Sequence, residues 1–149
     1  MKQKYIDMYM DWASRSAKLS HARRLQVGAV IVKDDTVISY GYNGMPAGWD
    51  NNCEDESVEL YSGYEGAIHR NVLKTKPEVL HAESNAIAKL AKSTNSGLGA
   101  TLFVTHSPCL QCAKLIYQSG INSVYYNENY RDDSGVKFLE KSGVEVIQV

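Results

Sequence analysis

Apolar and polar residues recur along this chain in two rhythms, and the switches between them mark out its elements. Near the N-terminus Tyr5, Met8, Tyr9, Trp12, Ser16 and Leu19 fall three and four apart, which predicts an amphipathic helix packing that stripe on a core. Two β-branched runs follow, Val27 to Val32 and Val37 to Tyr40, around the polar turn Lys33-Asp34-Asp35, as in an antiparallel hairpin. Between Gly44 and Pro77 the rhythm fades, turn residues gather and charges alternate without a clean face. That stretch reads as an extended loop with some local helix, and so long a loop in a compact domain is usually functional.

After Pro77 the helical period returns with Leu80, Ala82, Ala86, Ile87, Leu90 and Ala91, ending at Gly97. Strands are then expected over 101–106, 123–128 and 144–149, separated by helices over 109–120 and 135–143, the first opened by Ser107 and Pro108. Strands alternating with helices imply crossovers and parallel pairing, while the early hairpin supplies an antiparallel part. The expected fold is α/β, a three-layer α/β/α sandwich around a five-stranded mixed sheet.

Composition narrows the picture. A chain of 149 residues, 44% hydrophobic, suffices for one core and is short for two, so a single domain over 1–149 is expected. Sixteen Lys and Arg against seventeen Asp and Glu give a net charge of −1, too little for the positive field that holds a nucleic-acid polymer. A small anion held by a few cations remains compatible with it. The first twenty residues lack a continuous apolar core and a cleavage site, and no run of 18 apolar residues occurs, so neither a secretory leader nor a membrane span is read. A soluble, cytoplasmic protein without a membrane partner is expected. Three cysteines make no disulfide framework but suit a metal site in a reducing compartment.

Two short strings carry the chemistry: His81-Ala82-Glu83 at the start of one helix and Pro108-Cys109-Leu110-Gln111-Cys112 at the start of the next. Cysteines three apart at a helix N-terminus share one face of its first turn, where the helix dipole favours the thiolate. His81, Cys109 and Cys112 thus offer three ligands to one Zn²⁺ and leave the fourth position to water, the pattern of a catalytic rather than a structural zinc. Glu83 can carry that water's proton without ligating the metal. Taken singly, His81 is an ordinary polar residue, Glu83 a helix-start charge and the cysteine pair a redox or structural motif. Their joint occurrence on consecutive crossovers decides between these readings.

The two strings fit the H-x-E and P-C-x-x-C signature of zinc deaminases that act on nucleobases. With VGAVIV, GYNGMPAGWDN, HAESNAIAKLA, TLFVTHSPCLQCAKLIYQSGI and VYYNENYRDD, the chain beyond residue 20 resembles deoxycytidylate deaminases over most of its length. The resemblance implies hydrolytic conversion of dCMP to dUMP and ammonia, in the metabolism that supplies dTTP. It assigns His81, Cys109 and Cys112 to zinc and makes Glu83 the proton carrier while water attacks C4 of cytosine. Asn43 would reach the deoxyribose. Ala82 and the strand end Thr105 to Ser107 would line the pocket, Tyr126 would pack on base or sugar, and Arg24 or Tyr130-Arg131 would meet the phosphate through a guanidinium fork.

The same resemblance implies a homo-hexamer activated by dCTP and inhibited by dTTP. The regulatory nucleotide, accompanied by Mg²⁺, would bind a glycine-rich loop through Gly41, Tyr42, Gly44, Met45, Pro46 and Trp49. A second, structural zinc found in some relatives is not expected. Only Cys53, His21 and His69 stand in the relevant regions, Cys53 reads as a small buried residue and His106 as a hydrogen-bonding one. Competing readings are a deaminase of free cytidine, of a tRNA adenosine or of a pterin-like heterocycle, and a zinc-stabilised binding module without catalysis.

Overall fold

The computed structural model describes residues 1–149. Its elements are α1 (Gln3–Ala17), β1 (Gly28–Lys33), β2 (Thr36–Tyr42), β3 (Glu54–Gly63), β4 (Gly66–Thr75), α2 (Ala82–Ala91), β5 (Thr101–His106), α3 (Leu110–Gln118), β6 (Ser123–Glu128), α4 (Ser134–Lys141) and β7 (Glu145–Gln148). One sheet runs β2-β1-β5-β6-β7. β1 pairs antiparallel with β2 and with β5, whereas β5–β6 and β6–β7 are parallel, joined through α3 and α4. The expected five-stranded mixed sheet is therefore present. At its hairpin Asp34 and Asp35 both take positive φ (49° and 56°), the conformation of a two-residue turn whose twist matches the strands.

Alternation along the strands builds the layers. Val30, Val32, Phe103 and Tyr125 face α1 with its Ile6, Tyr9, Met10 and Ala13. Their neighbours Ala29, Ile31, Leu102, Val104, Val124 and Tyr126 face the other way, toward Ala86 and Leu90 of α2, Ala113 and Ile116 of α3, and Leu139 of α4. Phe103 stacks on Tyr125 with centroids 5.0 Å apart and lies 5.1 Å from Tyr9, pairings worth about 0.5–1.5 kcal/mol each beyond burial. No helix is long and apolar enough to cross a membrane.

Three expectations are corrected. The buried face of α1 is Ile6, Tyr9, Met10, Ala13, Ser16 and Ala17, so of the expected stripe only Tyr9 and Ser16 are inside, and Trp12 is 50% exposed. Small residues win there because helix and strand touch: a Cβ on Gly28 of β1 would lie 2.0 Å from the Ala13 carbonyl oxygen. α2 ends at Ala91 rather than reaching Gly97, its last carbonyls met by Lys92 and by the hydroxyl of Ser93. Most consequentially, 54–75 is no loop but a ten-by-ten antiparallel ribbon, β3 on β4, paired from Glu54↔Thr75 to Gly63↔Gly66. Its tip is solvated on both faces, with Leu60 68% and Ile68 65% exposed. No buried side imprints a period of two on the sequence, which hides such a strand from periodicity.

Candidate active site

Two helix N-termini converge on one point. His81 is the N-cap residue of α2 and Cys109 that of α3, both in extended backbone conformation, and neither side chain caps its helix. The cap geometry turns both side chains toward the gap between the helices, and Cys112 rises from the first turn of α3. A close approach fixes the second helix: a Cβ on Gly135, at the start of α4, would lie 2.0 Å from the Pro108 carbonyl oxygen.

His81 Nδ1 lies 3.6 Å from Cys109 Sγ and 3.4 Å from Cys112 Sγ, and all three ligand atoms fall within 4.8 Å of one another. Tetrahedral zinc with Zn–S of about 2.3 Å and Zn–N of about 2.0 Å requires N···S separations of about 3.5 Å. The donor set therefore has the size as well as the chemistry of a zinc site. Its electrostatics point the same way. Hydrogen bonds from Cys112 and His81 pull the Cys109 thiol down to about 4. The thiol of Cys112 is pushed up, first by that shared hydrogen bond and then by burial. Two sulfurs compete for one proton where a divalent cation would satisfy both.

Glu83, in the first turn of α2, is 4% exposed, and burial raises its carboxyl to about 7. It lines a cavity of about 490 Å³ together with His81, Ala82, Cys109, His106 and Ser107. Asn43 forms a side wall and is tied to the chain just before β1: its Oδ1 accepts the Val27 N–H (2.9 Å) and its Nδ2 donates to the Leu25 carbonyl (2.8 Å). Arg24, Tyr130 and Arg131 stand at the rim. The Tyr130 N–H donates to Ser107 Oγ (2.7 Å), which holds the 130–131 turn against the floor.

Thr105 and Tyr126 do not line the cavity. The Thr105 hydroxyl accepts the Gly28 N–H (3.2 Å) and lies 3.0 Å from His106 Nδ1, pinning β1 to β5, while Tyr126 belongs to the core and donates to Asn129 (3.2 Å). Both sit at strand positions pointing into packing rather than into space. Of the glycine-rich loop only Asn43 reaches the cavity; Tyr42, Gly44, Met45, Pro46 and Trp49 lie beyond its wall. Gly41 is a packing position, since a Cβ on it would lie 2.2 Å from the Ala82 carbonyl oxygen of α2. Met45 packs on Ala22, Cys53 and Val79, which confirms Cys53 as a small buried residue, whereas Trp49 is exposed.

The sequence reading missed the roof. Ser57, Glu59, Val72, Leu73, Lys74 and Thr75 of the β3–β4 ribbon complete the cavity. The available signal was Tyr64-Glu65 bracketed by Gly63 and Gly66, a two-residue hairpin turn between β-rich segments. Lys74 joins Arg24 and Arg131, giving three cations at the cavity, none ion-paired with a carboxylate.

Comparison with known proteins bears on this geometry directly. Residues 2–128 match the family model of the cytidine and deoxycytidylate deaminase zinc-binding region. ComE operon protein 2 of Bacillus subtilis is 42% identical over 127 residues, covering 85% of this chain and 61% of its own length. The deoxycytidylate deaminase of Saccharomyces cerevisiae is 32% identical over 149 residues, covering 99% of this chain and 46% of its own length, so the chain spans under two thirds of both relatives. The crystal structure of dCMP deaminase from cyanophage S-TIM5, in complex with dCMP and dUMP, superimposes with a TM-score of 0.86 at 39% identity, covering 100% of this chain and 99% of that one. A zinc-sized triad beside a buried glutamate, set in this fold and matched over this span, makes the chain a member of the cytidine and deoxycytidylate deaminase family.

Proposed function

We propose that the protein hydrolyses the exocyclic amino group of dCMP, yielding dUMP and ammonia. The observation that carries the reading is a three-ligand metal site and a buried carboxyl on the floor of a cavity whose rim and roof hold three unpaired cations. Zinc held by His81, Cys109 and Cys112 would lower the pKa of a bound water to near 7 and so supply the nucleophile. Glu83 is placed to take a proton from the attacking water and pass it to N3 of the pyrimidine, and then to carry the remaining proton of the hydroxyl added at C4 to the departing amine, which leaves as ammonia. Burial raises its carboxyl above the ordinary range, which favours the protonated form that donates to N3. Ala82 and Ser107 bound the base, Asn43 faces the sugar, and Arg24, Lys74 and Arg131 meet the phosphate, each fork or ammonium replacing water around the anion.

Regulation by dCTP and dTTP, with Mg²⁺ brought by the triphosphate, belongs to the same reading. The support is mechanical. Gly44 and Leu80 exchange two backbone hydrogen bonds (3.0 and 2.8 Å), so the loop carrying Met45, Pro46 and Trp49 is one residue from Asn43 and cross-linked to the residue before His81. A nucleotide binding one loop state better than another would bias both ends of the site. Exposed Tyr5, Met8 and Trp12 on α1, with Leu115 and Tyr117 on α3, provide apolar surface for assembly into a hexamer. The acting species would be a cytoplasmic homo-oligomer.

The test is zinc analysis joined to product analysis. Purified protein should carry one zinc per chain and convert dCMP to stoichiometric dUMP and ammonia, losing activity on chelation and regaining it with Zn²⁺. Full zinc with no dUMP formed would favour a non-catalytic zinc module instead.

A further inference from the structure

At the root of the hairpin lies an arrangement that the metal centre does not use. Glu54, first residue of β3, is 1% exposed. Its Oε1 accepts the backbone N–H groups of Arg23 (2.9 Å) and Arg24 (3.0 Å), while Oε2 has no hydrogen bond and faces Arg23 Nε at 3.6 Å. Across the ladder Glu54 pairs with Thr75, whose hydroxyl accepts a hydrogen bond from Arg24 Nη1 (3.3 Å). Two cross-strand neighbours therefore grip Arg24, one by its main chain and the other by its guanidinium. The side chain of Arg23 instead hydrogen-bonds to Glu56 and Asn52 and does not line the cavity.

Burying a carboxylate is costly, and an apolar residue would hold a hairpin root as well. The cost is accounted for by what the carboxylate fixes: the order in which consecutive arginines face surface and cavity. We propose that Glu54 is a positioning residue for substrate recognition, clamping the peptide N–H groups of Arg23 and Arg24 so that, with Thr75, it aims the Arg24 guanidinium at the phosphate of the nucleotide. The inference rests on the deaminase reading given above, with phosphate at the rim. It also makes the hairpin root part of specificity rather than a mere cover, since both gripping residues belong to it.

Steady-state kinetics with dCMP and with deoxycytidine test it. Glu54→Ala should raise the KM for dCMP about tenfold, the scale of a lost charge-assisted hydrogen bond, while kcat and the efficiency on deoxycytidine move by less than about twofold. Glu54→Gln, which keeps one acceptor oxygen, should recover part of that loss. In an Arg24→Ala background Glu54→Ala should add nothing, because it acts through Arg24. Should Glu54→Ala fail to fold, Thr75→Val carries the test, with the same selective rise at about threefold. Equal losses on both substrates, or full additivity with Arg24→Ala, would overturn the proposal. Arg24→Ala leaving the preference for dCMP unchanged would overturn it together with the phosphate reading; Arg24→Ala lowering that preference while the Glu54 and Thr75 variants do not would overturn it alone.

Discussion

The floor and the roof of the cavity are built in opposite ways. The floor is two helix starts wedged against a sheet that is buried on both faces, with Glu83 sealed beneath and no room for a Cβ at Gly41 or Gly135. The roof is a two-stranded ribbon, paired only with itself and exposed along most of its length. An isolated ribbon of this kind is marginally stable in water. On the proposed function, bond-making chemistry, which needs fixed geometry, would sit on the rigid part, and recognition of a phosphate, which tolerates adjustment, would be shared with the soft part.

This contrast can be broken at several strengths. Glu83→Gln should lower turnover by about 10² to 10⁴ without loss of zinc or of unfolding midpoint, because an amide of the same shape cannot carry the proton; assay, metal analysis and thermal melting together check it. Gly41→Ala drives a methyl into the Ala82 carbonyl and should cost about 3 kcal/mol of stability, read as a fall in denaturation midpoint. At the rim, Arg24→Ala, Lys74→Ala and Arg131→Ala should each reduce kcat/KM for dCMP about tenfold and leave zinc untouched; comparison with deoxycytidine shows which of the three meets the phosphate. Smallest of all, replacing 60–69 by a two-residue turn should change dCMP kinetics by less than about threefold, since the cavity-lining positions end at Glu59 and Val72. A large loss there would mean that the tip, too, belongs to the site.

The floor was legible from the sequence and the roof was not, for a physical reason. His81, Glu83, Cys109 and Cys112 must stand at fixed offsets from helix starts, so geometry is written as spacing in two short strings. The central strands of the main sheet are buried on both faces and declare themselves as continuous apolar runs. Ser57, Lys74 and Thr75 sit on a ribbon whose neighbours Val58, Leu60 and Tyr61 are all exposed, so burial imposes no alternation to read. On α1 the error ran the other way. Trp12 and Met8 drew the stripe toward bulk, while contact with Gly28 required the small Ala13 and Ala17. Thr105 and Tyr126, near the site by resemblance, are taken up by packing instead: the Thr105 hydroxyl accepts the Gly28 N–H, and Tyr126 is buried in the core beneath α2 and α3.

The division of labour between floor and roof is tested most directly by one ratio: kcat/KM for dCMP over that for deoxycytidine, measured on the zinc-loaded wild-type protein. The two substrates present the same base to the floor and differ only in the phosphate that the rim cations would meet. Three cations near the rim predict a ratio of about 10² or more. A ratio near one, with both substrates deaminated, would contradict the account and make the protein a nucleoside deaminase whose rim plays no part in choosing its substrate.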